Sequence, residues 1–154
     1  NLLYARRQAT PAELEAAYTQ AVYRVDAKPV AIFLRVGEHS PDLGLWLGAQ
    51  GARSFAFISA ANPGSQPLPE AEDEDRHRRL VEQVTAAGLP ALDGESYAAA
   101  DGEWRERSLL IAGLAREAAI ALAREFGQVA LLWGEAGGPV ELQFADRANE
   151  TRIR

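Results

Sequence analysis

The chain has 154 residues, of which 47% are apolar and 25% charged, a composition typical of globular proteins with a substantial core. Its formal net charge of −6 argues against duplex nucleic acid or an anionic membrane as the main partner, because both require clustered Lys and Arg. The absence of cysteine excludes disulfides, thiolate nucleophiles and zinc–thiolate sites.

The pattern of apolar residues predicts a soluble cytoplasmic protein with one domain. No run approaches the roughly 18 to 20 apolar residues of a membrane span, and residues 1–7 lack the charged-then-apolar order of a signal peptide. Because Arg is far more frequent than Lys, we also expect a bacterial source. We predict a single globular domain over residues 1–144 and a loose polar tail over residues 145–154.

The N-terminal part of the chain predicts a helix followed by a hairpin. Residues 10–13 (Thr-Pro-Ala-Glu) form a capping box with Pro at the first helical position, so a helix begins at Pro11 and ends near Gln20. Residues 21–25 and 30–36 are two β-branched and aromatic runs separated by a short polar segment. They predict an antiparallel pair of strands.

A short helix and a buried strand follow. Residues 40–42 (Ser-Pro-Asp) give a second N-cap, and Gly48 or Gly51 closes the helix. The nearly continuous apolar run over residues 54–60 predicts a central strand that is buried on both faces. A long helix is then predicted over residues 69–87.

This long helix carries acidic residues four positions before basic ones. The spacing is typical of ion pairs on a solvated helix face, each contributing roughly 0.2 to 0.5 kcal/mol. The predicted pairs are Glu72/Arg76, Asp73/His77, Glu74/Arg78 and Asp75/Arg79. Residues 89–107 are too irregular to assign to an element.

The C-terminal part predicts a strand, a helix and a hairpin. Residues 108–112 form a buried strand, and the apolar spacing over residues 114–126 indicates an amphipathic helix that Gly127 ends. Residues 129–133 and 140–144 flank a Gly-rich loop, as in a hairpin with a half-exposed edge strand. We therefore expect an α/β protein bordering on α+β, with about four helices and a mixed sheet of about six strands with hairpins at both ends.

The turn after the central strand is the most informative site candidate. Asn62, Ser65 and Gln66 lie in a Pro- and Gly-containing turn ahead of a helix, where backbone N–H groups attract anions. However, the acidic residues of the next helix already complement its dipole and would repel a phosphate. The acids also point in different directions along the helix, so we expect no metal and no cofactor.

The two histidines do not indicate catalysis, since neither has the neighbours of a triad or a metal motif. We interpret His77 as a member of the ion-pair row and His39 as a loop residue. The segment around Trp104 and Glu106 precedes the strand at residue 108, so its polar groups should crowd one end of the sheet. Glu106 is expected either to pair with Arg76 or to serve a ligand.

Four short segments resemble the bacterial DUF3293 family over most of residues 18–144. They are Ala60–Gln66 (AANPGSQ), Arg76 and Leu80 on the following helix, Trp104–Ser108 (WRERS), and the stretch from Glu117 to Phe126–Ala130 (FGQVA). The resemblance implies no activity. It implies that Asn62, Pro63, Arg76, Trp104, Glu106, Ser108, Gly127 and Gln128 are the family's marked positions, and Asp73 stands where the family pattern has Asn.

The leading functional hypothesis is a small binding domain whose ligand is a polar small molecule held at one end of the sheet. The ligand-binding candidates are Asn62, Ser65, Gln66, Arg76, Trp104, Glu106, Ser108 and Gln128. An enzyme with Glu106 as general acid or base beside Arg76 is an alternative, and a protein–protein interaction module is another. In the latter, the final edge strand would pair between two copies to form a homodimer.

Overall fold

The computed structural model describes residues 10–98 and 105–145, and its first helix begins at the predicted cap. The helices are α1 (Pro11–Gln20), α2 (Pro41–Gln50), α3 (Glu70–Ala86) and α4 (Arg116–Glu125), and Pro63–Ser65 form a 3-10 turn. Thr10 Oγ1 accepts a hydrogen bond from the Glu13 N–H at 3.2 Å, and the Glu13 carboxylate accepts one from the Thr10 N–H at 3.0 Å. The predicted capping box is therefore confirmed.

The strands form one antiparallel sheet. They are β1 (Val22–Val25), β2 (Ile32–Leu34), β3 (Ser54–Ser59), β4 (Ala91–Tyr97), β5 (Arg105–Ala112), β6 (Ala130–Glu135) and β7 (Glu141–Phe144). Their order is β2-β1-β4-β5-β3-β6-β7, and each neighbouring pair is antiparallel. The α+β character and the terminal hairpins are confirmed. Among the described residues the sheet has seven strands where we expected about six, and it contains no parallel neighbours where we expected a mixed sheet.

The additional strand is β4, which the sequence does not reveal because Asp93 and Gly94 are residue types depleted in strands. Gly94 is required by packing. A Cβ atom there would lie 2.5 Å from the Arg24 backbone oxygen and 2.8 Å from Cε1 of the Phe57 ring. The residue that obscures the strand in the sequence thus lets an aromatic ring pack against it.

The central elements have a ferredoxin-like topology, β3-α3-β4-β5-α4-β6. Because β5 pairs antiparallel with both β3 and β4, the latter two run parallel with β5 between them. In the same way β3 lies between the parallel strands β5 and β6. Each helix therefore crosses over one intervening strand.

The two faces of the sheet bury separate apolar clusters. Leu80 and Val84 of α3 pack with Ala119 and Ala123 of α4 on the face that carries Ile111. On the opposite face, buried side chains of β1, β2 and α2 pack with Phe55, Phe57 and Leu110 in a second cluster. Side chains on β5 therefore alternate between two interiors.

Within the described ranges, no helix has the length and apolar character needed to cross a membrane.

Candidate functional site

The turn after β3 holds Asn62 in an unusual backbone conformation. Asn62 has φ 47° and ψ 60°, and it is the only residue other than glycine with a positive φ in the part of the chain that the structure describes. Ser59 Oγ accepts a hydrogen bond from the Ala61 N–H at 3.0 Å just before it. A left-handed residue at the end of a central strand marks a position that the surrounding contacts over-determine, which is common at functional sites.

Asn62 connects three parts of the fold through hydrogen bonds. Its backbone N–H donates to Asp73 Oδ1 on α3 at 2.9 Å, and its side-chain Oδ1 accepts from the Leu68 N–H at 3.1 Å. Its Nδ2 donates to Glu106 Oε2 on β5 at 3.0 Å. Asp73 acts here as an acceptor, which a carboxylate performs as well as the oxygen of an amide.

Arg76 of α3 stabilises the same turn from the other side. Its Nε donates to the Ala60 backbone oxygen at 2.6 Å, its Nη2 donates to the Phe126 backbone oxygen, and the guanidinium lies 6.0 Å from the Phe126 ring centroid. Burial, and to a smaller extent the charge of Arg79, lowers the pKa of Arg76, while Asp73 opposes the shift. The structure shows no ion pair between Arg76 and Glu106 in the residues it describes, so the pairing that we considered is not formed.

Gly127 and Gln128 hold the turn against the end of α4. The Gly64 N–H donates to the Gly127 backbone oxygen at 2.7 Å, and Gln128 Nε2 donates to the backbone oxygens of Ala61 at 2.9 Å and Phe126 at 3.2 Å. Gly127 has φ 70°, and a Cβ atom there would lie 2.7 Å from Cβ of Pro63. The FGQ segment is therefore next to the NP turn in space.

Glu106 and Ser108 face a partly open cavity between α1 and the sheet. Because side chains alternate along β5, Arg105 and Arg107 lie on the opposite face. Glu106 is buried with 6% of its surface exposed, and the Ser108 hydroxyl lies 3.5 Å from that of Ser96 on β4. The cavity volume is about 30 Å³. Other lining residues are Tyr18, Tyr23, Phe57, Ser59, Gln128 and Leu142.

Among the remaining predicted site residues, Gln66 is the one whose side chain the structure describes, and it is not part of this arrangement. Gln66 is exposed after the 3-10 turn, and the side chain of Ser65 is not described. Trp104 lies outside the described residues, as do residues 146–154 of the predicted tail. The structure thus brings together Asn62, Glu106 and Gln128 and places Ser108 and Arg76 next to them.

Sequence reasoning missed Ser59, Ser96 and the two tyrosines of the cavity. The alternation Arg105-Glu106-Arg107-Ser108 contains a signal for Ser108, since it predicts that Glu106 and Ser108 share one face of a strand. Nothing comparable exists for Ser96, because β4 was not recognised. The tyrosines reach the cavity only through the packing of β1 and α1 against the sheet.

The interpretation of His77 as a solvated member of an ion-pair row is wrong. His77 is 4% exposed, and its Nε2 lies 3.0 Å from Asp93 Oδ1 on β4. The side chain is on the helix face that carries Leu80 and Val84, which packs on the sheet. Within the described residues, its Nδ1 is buried with no hydrogen-bond partner.

The other predicted pairs of the row are mostly replaced by contacts with the sheet or the turn. Asp75 pairs with Arg79 at 3.4 Å as predicted, but Glu74 contacts Arg107 of β5. Arg78 contacts Asp75 and Glu82 instead of Glu74. Four-residue spacing identifies neighbours on one helix but cannot show which side chains a sheet will attract.

Metal binding finds no support in the described part of the chain. No group of three or more His, Cys, Asp or Glu residues there is arranged so that it could hold a metal ion. Of the described residues that line the cavity, Glu106 is the one with an acidic side chain.

The topology defines a ferredoxin-like α+β domain, and a mainly apolar cavity with a few polar side chains lies at one end of its sheet. Residues 58–131 match the model of the family described as Protein of unknown function (DUF3293), in agreement with the resemblance seen in the sequence. The match runs from the end of β3 into β6, so it includes Asn62, Arg76, Glu106 and Gln128. No curated protein and no solved structure matches the chain.

Proposed function

We propose that this domain binds a small polar molecule in the cavity that Glu106 and Ser108 line. The observation that carries the proposal is the burial of a carboxyl group and serine hydroxyls around a space on an otherwise apolar face of the sheet. Buried polar groups reduce stability unless they are fully hydrogen-bonded, whereas a few polar groups in an apolar cavity are typical of ligand sites.

The hydrogen bonds that the Ser96 and Ser108 hydroxyls make with each other and with the Glu106 backbone are long, which supports a ligand as a further partner. Ser108 Oγ lies 3.4 Å from the Glu106 backbone oxygen and 3.5 Å from Ser96 Oγ. Both distances are at the long limit for bonds from a hydroxyl. A ligand group in the cavity would receive shorter hydrogen bonds from the same two serines.

In this proposal the turn after β3 orients the Glu106 side chain and does not itself contact the ligand. Asn62 bonds Glu106 with an amide that is itself fixed by the backbone of Leu68 and by the left-handed turn. Arg76 and Gln128 use their donors on backbone carbonyls of that turn. Residues that we expected to touch the ligand therefore serve in this proposal as supports for Glu106.

The alternative functions have less support. An enzyme with Glu106 beside Arg76 requires the guanidinium near the reacting group, but Arg76 donates to two backbone carbonyls. Pairing of β7 between two copies stays a prediction, as does a cytoplasmic location, which the absence of cysteine supports.

A thermal-shift screen tests the proposal. The wild-type protein is heated with nucleotides, sugars, amino acids and amines, because a ligand that binds only the folded state raises the melting temperature. We expect at least one class to raise it for the wild type and to have little effect on Glu106→Gln. The matched control is Glu82→Gln on the exposed face of α3, which should respond like the wild type.

A second cavity variant keeps the test decisive if Glu106→Gln does not fold. Ser108→Ala removes one hydroxyl from the same wall and should weaken the shift while the protein remains folded. A ligand response that is equal in the wild type, Glu106→Gln and Ser108→Ala would contradict the proposal, because the bound site would then lie elsewhere.

A further inference from the structure

The free edge of strand β2 lies at one end of the sheet. In the described part of the chain, β2 pairs with β1 alone. We propose that this edge binds an extended acidic segment of a partner protein, which adds a strand to the sheet beside residues 31–35. Strand addition to an exposed edge is a common mode of peptide recognition, in which backbone hydrogen bonds supply affinity and side chains supply specificity. This interaction is separate from ligand binding in the cavity.

The backbone groups of Phe33 point away from the sheet. The Asp26 N–H donates to the Asp93 backbone oxygen at 2.8 Å, so Asp26 and, by alternation, Arg24 direct their backbone groups towards β4. Arg24 is the register partner of Phe33 on β2, and the two therefore form a pair without mutual hydrogen bonds. The N–H and C=O of Phe33 are directed to the free side, as are those of the residues two positions before and after it.

The free edge has a defined length. After β2 the chain turns, and the Gly37 N–H donates to the Val140 backbone oxygen at 2.7 Å. The Val140 N–H in turn donates to the Glu38 backbone oxygen at 2.9 Å. These bonds close the edge ahead of β7. An added strand is thus limited to residues 31–35, which is close to the usual strand length of about 5 to 6 residues.

The edge exposes apolar side chains that an added strand would cover. Phe33 is 55% exposed and Val30 is 71% exposed, and they are two of the three large apolar side chains that are exposed among the described residues. Ile32 and Leu34 are buried in the core, so Phe33 lies on the outer face of β2. An exposed apolar side chain on an edge strand favours pairing with another chain.

Basic residues without ion pairs flank the edge and determine the charge of the partner. Lys28 and Arg35 are exposed, and neither forms an ion pair in the part of the chain that the structure describes. Arg24 on β1, in contrast, is paired with Asp26 and Glu95. A segment with carboxylates at both of its ends would supply counter-charges to Lys28 and Arg35, and such complementarity gives specificity.

The same charges oppose pairing with a second copy of the chain. An antiparallel pair of two β2 strands centred on Phe33 would bring the Lys28 and Arg35 side chains of both copies to one interface. Like charges across an interface suppress association, and charged residues on edge strands protect proteins from pairing with themselves. An acidic partner therefore fits this edge better than a homodimer does.

The proposal is tested by titrating isotopically labelled protein with short capped peptides while its backbone amide NMR signals are recorded. The probe is a peptide of alternating valine and threonine with glutamate at both ends. The same peptide with lysine at both ends is the charge control, and one with N-methylated central amides cannot pair as a strand. We expect the glutamate peptide to shift the signals of residues 31–35 and to slow hydrogen exchange of the Phe33 amide. The lysine peptide should bind about fivefold more weakly.

Variants of the edge identify the groups responsible. Arg35→Glu should weaken the glutamate peptide about fivefold and strengthen the lysine peptide, whereas Phe33→Thr should weaken both. Lys28→Glu should act in the same direction as Arg35→Glu and replaces it if that variant does not fold. The matched controls are Leu45→Thr, at a residue of α2 that is 75% exposed, and Arg53→Glu, at an exposed residue before β3. Neither control should change binding.

Several outcomes would overturn the proposal. They are no shift at residues 31–35 with peptide in the millimolar range, equal binding of the glutamate and lysine peptides, binding of the N-methylated peptide, and unchanged binding by both charge variants. Signals of residues 31–35 that change with protein concentration alone, and no longer do so in Phe33→Thr, would assign the edge to a second copy and overturn the acidic partner. The response of the cavity variants is measured separately, so each of these results leaves the proposed function standing.

Discussion

The two halves of β5 bury their side chains in different ways. From Leu109 to Ala112 every residue is apolar and at most 2% exposed, so both faces contribute to the two cores. From Arg105 to Ser108 the arginines are exposed, while Glu106 and Ser108 are buried on the cavity side. The apolar half of β5 explains why the domain folds, whereas burial of the polar half does not by itself stabilise an interior. Under the proposed function, the polar half is retained for recognition.

The largest difference between the halves should appear with Leu110→Ala. Leu110 is fully buried on the same face of β5 as Ser108, and its truncation leaves a cavity among Phe57 and its neighbours. We expect the free energy of unfolding to fall by about 2 to 5 kcal/mol, measured by urea denaturation. A loss below 1 kcal/mol would show that the apolar half does not carry the stability assigned to it.

Gly127→Ala tests how firmly the polar half is held in place. The residue has φ 70°, and its new Cβ would clash with Pro63, so we expect a loss of about 2 to 3 kcal/mol. Gly88→Ala is the matched control, because Gly88 has φ 75° with nothing within 4 Å of the new Cβ. If the two variants lose equal stability, the contact between Gly127 and Pro63 does not hold the turn.

The stability of the protein at alkaline pH should depend on Tyr23, because burial raises the pKa of its hydroxyl group. A group with a raised folded-state pKa contributes its full stability below its unfolded pKa of about 10, and this contribution falls as the pH rises above that value. Between pH 10 and 11 the wild type should lose up to about 1.4 kcal/mol more than Tyr23→Phe. Parallel urea denaturation curves for the two proteins would contradict this expectation.

The smallest effect is expected for Ser108→Ala. Among the described residues its hydroxyl has two contacts, both long, with Ser96 and the Glu106 backbone oxygen, so the free energy of unfolding should change by less than about 1 kcal/mol. Urea denaturation beside Leu110→Ala provides the comparison. A loss similar to that of Leu110→Ala would indicate that the polar half is structural.

The sequence was sufficient for elements with strong local signals. The capping box at Thr10 and the apolar runs of β3 and β6 predicted their elements well, because caps and buried runs depend on neighbouring residues. Strand β4 was missed because it contains Gly94, and the glycine is needed there for close packing against Phe57, which is distant in the chain. Local propensity cannot show such a contact.

The candidate site was predictable only in part, because its contacts also join residues that are distant in the chain. The family resemblance selected Asn62, Glu106 and Gln128, which the structure brings together. Their partners were not predictable, since the register of β3 with β5 decides which side chains meet. His77 was misjudged because its helix spacing is compatible with both a solvated pair and a buried contact to Asp93.

Urea denaturation of Glu106→Gln, beside the wild type and Glu82→Gln, tests most directly whether this buried carboxyl group is retained for recognition. The amide oxygen of Gln can still accept the Asn62 hydrogen bond, so we expect a free energy of unfolding within about 1 kcal/mol of the wild type. A loss of about 3 to 5 kcal/mol, as when one partner of a buried charge pair is removed, would contradict it. The carboxylate would then be holding the fold together.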